Sequence, residues 1–170
     1  MQNFNPLKIR KLFLLGIAIA LAVAFFDLLT KRLIFAILEN QALELNIKNP
    51  EIVIFSFFNL VLVWNRGVSF GMFNQLESGP VILSLLQFAI MVIVFVWLYR
   101  NENIYFTWAL GLIAGGALGN LVDRIKNGAV ADFLDFHIAS YHWPAFNLAD
   151  SSVFIGVVIL LLDDLIFKKK

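Results

Sequence analysis

Long apolar runs broken by short polar punctuation dominate the pattern of this chain. A helix needs about 20 mostly apolar residues to cross a hydrocarbon core of about 30 Å, and four stretches qualify. The first opens on the unbroken apolar run Leu12–Phe26 and continues through Asp27-Leu28-Leu29-Thr30-Lys31 to Leu38. The second is Val81–Tyr99, interrupted only by Ser84 and Gln87 before the Tyr99 hydroxyl. Ile104–Val122 is the third, and the fourth starts near Phe146 to Asp150 and ends at Phe167. Asn101-Glu102-Asn103 separates the second and third, which predicts antiparallel neighbours. Glu51–Phe73 reads differently: Ile52–Phe55 and Asn59–Trp64 are β-branched and aromatic but too short to span. They predict a small sheet on the outer membrane surface, with Trp64, Phe70 and Phe73 near the headgroups. The expected fold is a mainly α membrane protein, a four-transmembrane-helix bundle with a small extracytoplasmic β-sheet between helices 1 and 2. One domain covers 1–170, with spans near 12–38, 81–99, 104–122 and 147–167 and a β segment at 51–73.

Composition agrees. Hydrophobic residues make up 61% of the 170 and charged residues 15%, too little polar surface for a water-facing globule. A net charge of +1 gives no electrostatic case for nucleic acid. With no cysteine there is no disulfide framework, thiolate nucleophile or Cys-ligated zinc. Basic flanks set the orientation. Lys8, Arg10, Lys11, Arg100, Lys168, Lys169 and Lys170 fall on one side, against Lys48, Arg66, Arg124 and Lys126 on the other. Both termini are therefore expected in the cytoplasm, with Glu39–Pro80 and Asp123–Asn147 outside. A basic start, an apolar run and Ala22-Val23-Ala24 also fit a cleavable leader. The apolar run continues past Ala24 into Asp27, Thr30 and Lys31, which favours a retained span.

Ionisable groups in or beside spans are costly and are candidates for function. Asp27 and Lys31, at i, i+4, share a helix face about 22 Å or more beyond Leu12, near the outer boundary. A structural ion pair is the first reading, and support for an outer-face site the second. Gly111, Gly115 and Gly119 form a small-residue stripe suited to close helix packing. Asn120, Asp123 and Arg124 follow, and the i, i+4 pair Asn120 and Arg124 suits a headgroup or a peptide carbonyl, or simply the helix end. Asp132 and Asp135 alternate with apolar residues and cannot both face one way. Asp150 is placed as an N-cap of the fourth helix, and Asp163 and Asp164 read as interfacial charges.

Gly67-Val68-Ser69-Phe70-Gly71 matches G-x-S-x-G, but that motif needs a strand-to-helix turn in a large α/β sheet. His137 and His142, at i, i+5, do not form HExxH, so neither a serine nor a zinc site is supported. No metal and no cofactor are expected. Carboxylates remain. Two aspartates held close share a proton near neutral pH, so one can activate water while the other donates to a carbonyl. That chemistry hydrolyses a peptide bond. Asp132 and Asp150 both lie on the outer side, and spacing alone leaves Asp123 and Asp135 as competitors to Asp132.

Five motifs in order carry a resemblance: Asp27-Leu28-Leu29-Thr30-Lys31, Asn65-Arg66-Gly67-Val68-Ser69-Phe70, Gly115–Arg124, Val130-Ala131-Asp132-Phe133 and Phe146-Asn147-Leu148-Ala149-Asp150. Over essentially its whole length the chain resembles the bacterial lipoprotein signal peptidases, signal peptidase II. The resemblance implies an aspartic endopeptidase of the cell inner membrane. Such enzymes cut the signal peptide from diacylglyceryl-modified prolipoproteins just before the lipidated cysteine. It implies Asp132 and Asp150 as the catalytic pair. Asn65, Gly67, Asn120, Arg124 and Asn147 would line the substrate and inhibitor site, with Asp27, Lys31 and Asp123 in support. Globomycin-type inhibitors and membrane lipids are the implied ligands, and one copy suffices. The chain departs from the family at Arg66, where a compact residue is usual, and at Ala131, which replaces a usual Val. A small proton-coupled transporter also places Asp, Lys and Arg in spans, but here the acids gather at one face and no repeated half is visible.

Overall fold

The computed structural model describes residues 6–67 and 79–167, with side chains over 7–67 and 79–163. Eight elements follow in order: α1 (Pro6–Leu45), β1 (Glu51–Phe55), β2 (Phe58–Asn65), α2 (Gly79–Tyr99), α3 (Ile104–Asn127), β3 (Val130–Ile138), β4 (Tyr141–His142) and α4 (Leu148–Phe167). Phe70, Phe73, most of the Gly67–Gly71 motif and Lys168–Lys170 lie outside the described residues.

Among the described residues three helices, α1, α2 and α3, are long and apolar enough to cross a membrane. Their exposed surface is apolar: Leu85 and Phe88 on α2, and Phe25 and Leu33 on α1, stand more than half exposed. A water-facing protein does not carry so continuous an apolar coat. At 40 residues α1 outruns its apolar core. It continues past Leu38 through the polar tail Glu39–Leu45 and stops at Asn46, whose φ of 53° is the left-handed conformation that asparagine tolerates at a helix end.

The buried centre of the bundle is α3, with α1, α2 and α4 around it. Small residues make this possible. A Cβ on Gly115 would lie 2.6 Å from the Ala20 carbonyl oxygen of α1, and one on Gly116 would strike the Ala149 carbonyl of α4. The stripe Gly111, Gly115 and Gly119 faces α1, and Gly116 beside it faces α4, so backbone meets backbone on both sides of α3. Asn103 caps the start of α3, accepting from the Tyr105 amide at 2.8 Å. Its Nδ2 donates to Asp163 Oδ1 at 3.0 Å. Asp163 is accordingly buried and hydrogen-bonded, a correction to its reading as an interfacial charge.

The sheet is antiparallel in the order β1-β2-β3-β4. The β1–β2 hairpin matches the expected strands. The expectation of a sheet built only between the first two helices is corrected, because the connection from α3 to α4 supplies β3 and β4. Asp132 sits inside β3, with Val63 of β2 as its Cα partner. The approach to α4 is pinned to the same strand, since Leu134 and Phe146 exchange backbone hydrogen bonds at 2.9 and 3.1 Å. That exchange brings the start of α4 alongside Asp132.

Candidate active site

Asn147 is the joint of the site. It is fully buried, and its Nδ2 donates to Asp132 Oδ1 at 2.6 Å. Its Oδ1 accepts from the Asp150 amide at 2.9 Å, and its own amide donates to Asp150 Oδ2 at 3.3 Å. This is a reciprocal capping box, in which cap and third residue satisfy each other's free amides. Asp150 therefore lies in the first turn of α4 and Asn147 is the cap, which corrects the expectation that Asp150 caps the helix. A carboxylate there also faces the positive end of the helix.

Each aspartate has a second amide donor. Asn65 Nδ2 reaches Asp132 Oδ2 at 3.0 Å. With Asn65 opposite Val130 and Val63 opposite Asp132, this is a diagonal cross-strand contact. Asn120 Nδ2 donates to Asp150 Oδ1 at 2.8 Å. Asn120 Oδ1 in turn accepts from Lys31 Nζ at 2.9 Å. Lys31 also pairs with Asp27 Oδ2 at 2.7 Å and Asp123 Oδ2 at 2.9 Å. Asp27 Oδ1 accepts from the Ala149 amide at 2.8 Å, which ties α1 to the first turn of α4. Gly119 leaves the room for this, since a Cβ there would collide with Asp27. The Asp27–Lys31 pair expected from spacing thus forms. It is at once a structural tie and, through Asn120, a neighbour of Asp150.

Burial and the nearby Asp150 charge push the Asp132 carboxyl up to about 7, against the pull of Asn65, Asn147 and Lys31. At neutral pH it therefore divides between a proton donor and an acceptor. The two other acids are occupied elsewhere. Asp123 holds Lys31 and accepts from the Ala131 amide at 3.3 Å. Asp135, three residues along the strand and so across the pleat, is held by Asn59 at 3.3 Å and His142 at 2.9 Å. Of the four acids that spacing left in play, Asp132 and Asp150 are the two that meet through Asn147.

Arg124 closes one side. Nη1 donates to Gln87 Oε1 of α2 at 2.8 Å and Nη2 to the Gly67 carbonyl at 3.3 Å, while the Gly67 amide donates to Asn65 Oδ1 at 3.0 Å. Its Nε is buried with no partner among the described residues. Gln87 was passed over in the sequence as a mere interruption of an apolar span. The signal was present, since an amide in hydrocarbon is costly unless bonded. The Asn59–Asp135–His142 cluster gives no signal in the sequence, because Asn59 lies 76 residues before Asp135.

The geometry has close counterparts. Residues 19–166 match the family described as signal peptidase (SPase) II. The chain belongs to the signal peptidase II family. A lipoprotein signal peptidase of Burkholderia multivorans (strain ATCC 17616 / 249) is 42% identical over 151 residues, covering 88% of this chain and 86% of that one. One from Anaplasma phagocytophilum (strain HZ) is 43% identical over 115 residues, 68% of this chain and 74% of the relative. A solved bacterial membrane enzyme, determined by the in meso method at 2.3 Å, superimposes with a TM-score of 0.71 at 30% identity over 91% of both chains. Another, at 1.9 Å, gives 0.73 at 27% identity, over 91% of this chain and 94% of the other. As a signal peptidase II family member the chain is a peptidase, a hydrolase of lipoprotein processing, and prolipoproteins are its substrates.

Proposed function

We propose that Asp132 and Asp150 are the catalytic pair of an intramembrane-type aspartic endopeptidase that cuts diacylglyceryl-modified prolipoproteins just before the lipidated cysteine. The observation that carries this reading is Asn147, one buried side chain and amide bonded to both carboxyl groups. Asp132, protonated, donates to the scissile carbonyl oxygen as water attacks the carbon. Asp150, ionised, takes the proton of that water. The resulting gem-diol returns one hydroxyl proton to Asp132 as its C–N bond breaks, and the proton held by Asp150 passes to the departing cysteine amine. The products are a free signal-peptide carboxyl and a new N-terminal amine. Arg124, Asn65, Gly67 and Asn120 line the same site, where the Arg124 guanidinium suits a substrate carbonyl. Asp27, Lys31 and Asp123 hold the helices beneath it.

The reading places a monomer in the inner membrane as one domain. Its four spans include α4, a 20-residue helix packed along α3. Both termini are cytoplasmic and the sheet lies outside. Globomycin-type peptides are the expected inhibitors.

The deciding experiment supplies a diacylglyceryl-modified prolipoprotein to the purified protein in detergent, with wild type beside Asp132→Asn and Asp150→Asn. Cleavage by wild type and loss of at least about 10³-fold in both variants is expected, as when a reacting group is removed. An active, folded variant of either residue would defeat the dyad.

A further inference from the structure

A cavity borders the Lys31–Asp123 ion pair. It measures about 630 Å³ and opens between the outer half of α1 and the end of α3. Phe25, Leu28, Leu29 and Phe35 of α1 form its apolar wall, with Trp64 of β2 against Phe35, ring centroids 5.0 Å apart. Arg32, Glu39 and Lys126 stand around its mouth. All three are exposed, and none has an ion-pair or hydrogen-bond partner among the described residues. Lys31 also borders the cavity, but its ammonium already pairs with Asp27 and Asp123 and donates to Asn120.

These groups follow one another along α1, outward in the orientation proposed above. Arg32 lies about 30 Å along α1 from Leu12, where the hydrocarbon ends, and Phe25 and Leu29 lie below it. Glu39 is two turns further out on the same face, about 10 Å beyond Arg32. From the core outward the cavity therefore presents apolar side chains, a guanidinium with a nearby ammonium, the rings of Phe35 and Trp64 beside them, and then a carboxylate. A phospholipid with an amine-bearing headgroup presents acyl chain, phosphate and ammonium in that same order. Arg32 suits a phosphate diester through its planar fork and Lys126 as a point charge. A lipid without phosphate leaves both cations unmatched, and an anionic headgroup lacking an amine meets Glu39 unfavourably.

We propose that this cavity is a binding site for an outer-leaflet phospholipid with an aminoethyl phosphate headgroup, held by Arg32, Lys126 and Glu39. The site is independent of the cleavage chemistry and leans only on the outward orientation of α1. Its inner wall is Lys31 and Asp123, so an occupant buttresses the ion network that joins α1 to α3.

The test is native mass spectrometry on the full-length, delipidated protein. It is incubated with equimolar phosphatidylethanolamine, phosphatidylglycerol and diacylglycerol of identical acyl chains. One phosphatidylethanolamine per protein should predominate in wild type. Arg32→Gln with Lys126→Gln should lower its retention roughly tenfold, to the diacylglycerol level, while Arg32→Lys with Lys126→Arg keeps it. Glu39→Gln should erase the preference over phosphatidylglycerol. The proposal is overturned if the double Gln variant retains the lipid like wild type, or if wild type takes diacylglycerol equally. It is also overturned if Glu39→Gln leaves selectivity unchanged, or if chain-free glycerophosphoethanolamine displaces the lipid at equal concentration.

Discussion

Asp132 carries its chemistry in its surroundings. Buried in β3 and facing a second carboxyl, it holds its proton up to about 7, whereas a free aspartic acid has lost it near 4. In the proposed mechanism it is the acid, so the competent form is protonated and declines as pH rises through about 7. Cleavage should therefore fall on the alkaline side of neutrality, and a kcat/KM profile in mixed micelles reads this limb directly. A rate that stays flat to pH 9 would remove Asp132 from the acid's role. Gln87 makes a separate prediction. Gln87→Leu removes the acceptor at Arg124 Nη1 and should lower kcat/KM about tenfold, while Gln87→Glu, which still accepts, should stay near wild type. At this scale the sequence showed which acids were available but not which met. Asp123, Asp132 and Asp135 are equivalent in spacing. Only the family resemblance singled out Asp132, and the fold shows why the others are engaged elsewhere.

Among the elements, α3 and α4 approach so closely that single methyl groups matter. Gly116→Ala sets a Cβ against the Ala149 carbonyl, and backbone cannot yield as a side-chain tip does. The expected loss is about 1–3 kcal/mol, with kcat falling more than KM because Ala149 adjoins Asp150. Gly128→Ala is the control. Gly128 ends α3 at φ 66° with open space about it, so a loss of about 1 kcal/mol without a change in kcat is expected. Thermal unfolding and steady-state kinetics on both variants separate the two. The helices were legible because 20-residue apolar runs have few alternatives. Strand β3 was not: Val130–Ile138 mixes apolar residues with acids three apart, and its partner β2 lies more than sixty residues upstream. Neither local propensity nor periodicity reports a pairing of that separation. The tail of α1 was missed for the opposite reason, since Glu39–Leu45 is helical without being apolar.

For the whole molecule, orientation is the proposal most open to a clean test, because the chain has no cysteine of its own. A single Ile138→Cys in the exposed β3–β4 hairpin should react with an impermeant maleimide on intact spheroplasts. Glu102→Cys, between α2 and α3, should react only after permeabilisation. The reverse pattern would invert the topology and place the dyad on the cytoplasmic face.

The Asp27–Lys31 pair has a consequence for how such a chain is made. Ribosomes deliver α1 to the bilayer before Asn120, Asp123 and the Ala149 amide have been synthesised, so none of the later partners of the pair exists during that interval. Two separate charges would then strain the insertion of the helix. One turn apart on a single helix, they travel as an internally neutralised unit until the last helix arrives. The network beneath the dyad can therefore be completed late without stranding a bare ion in lipid.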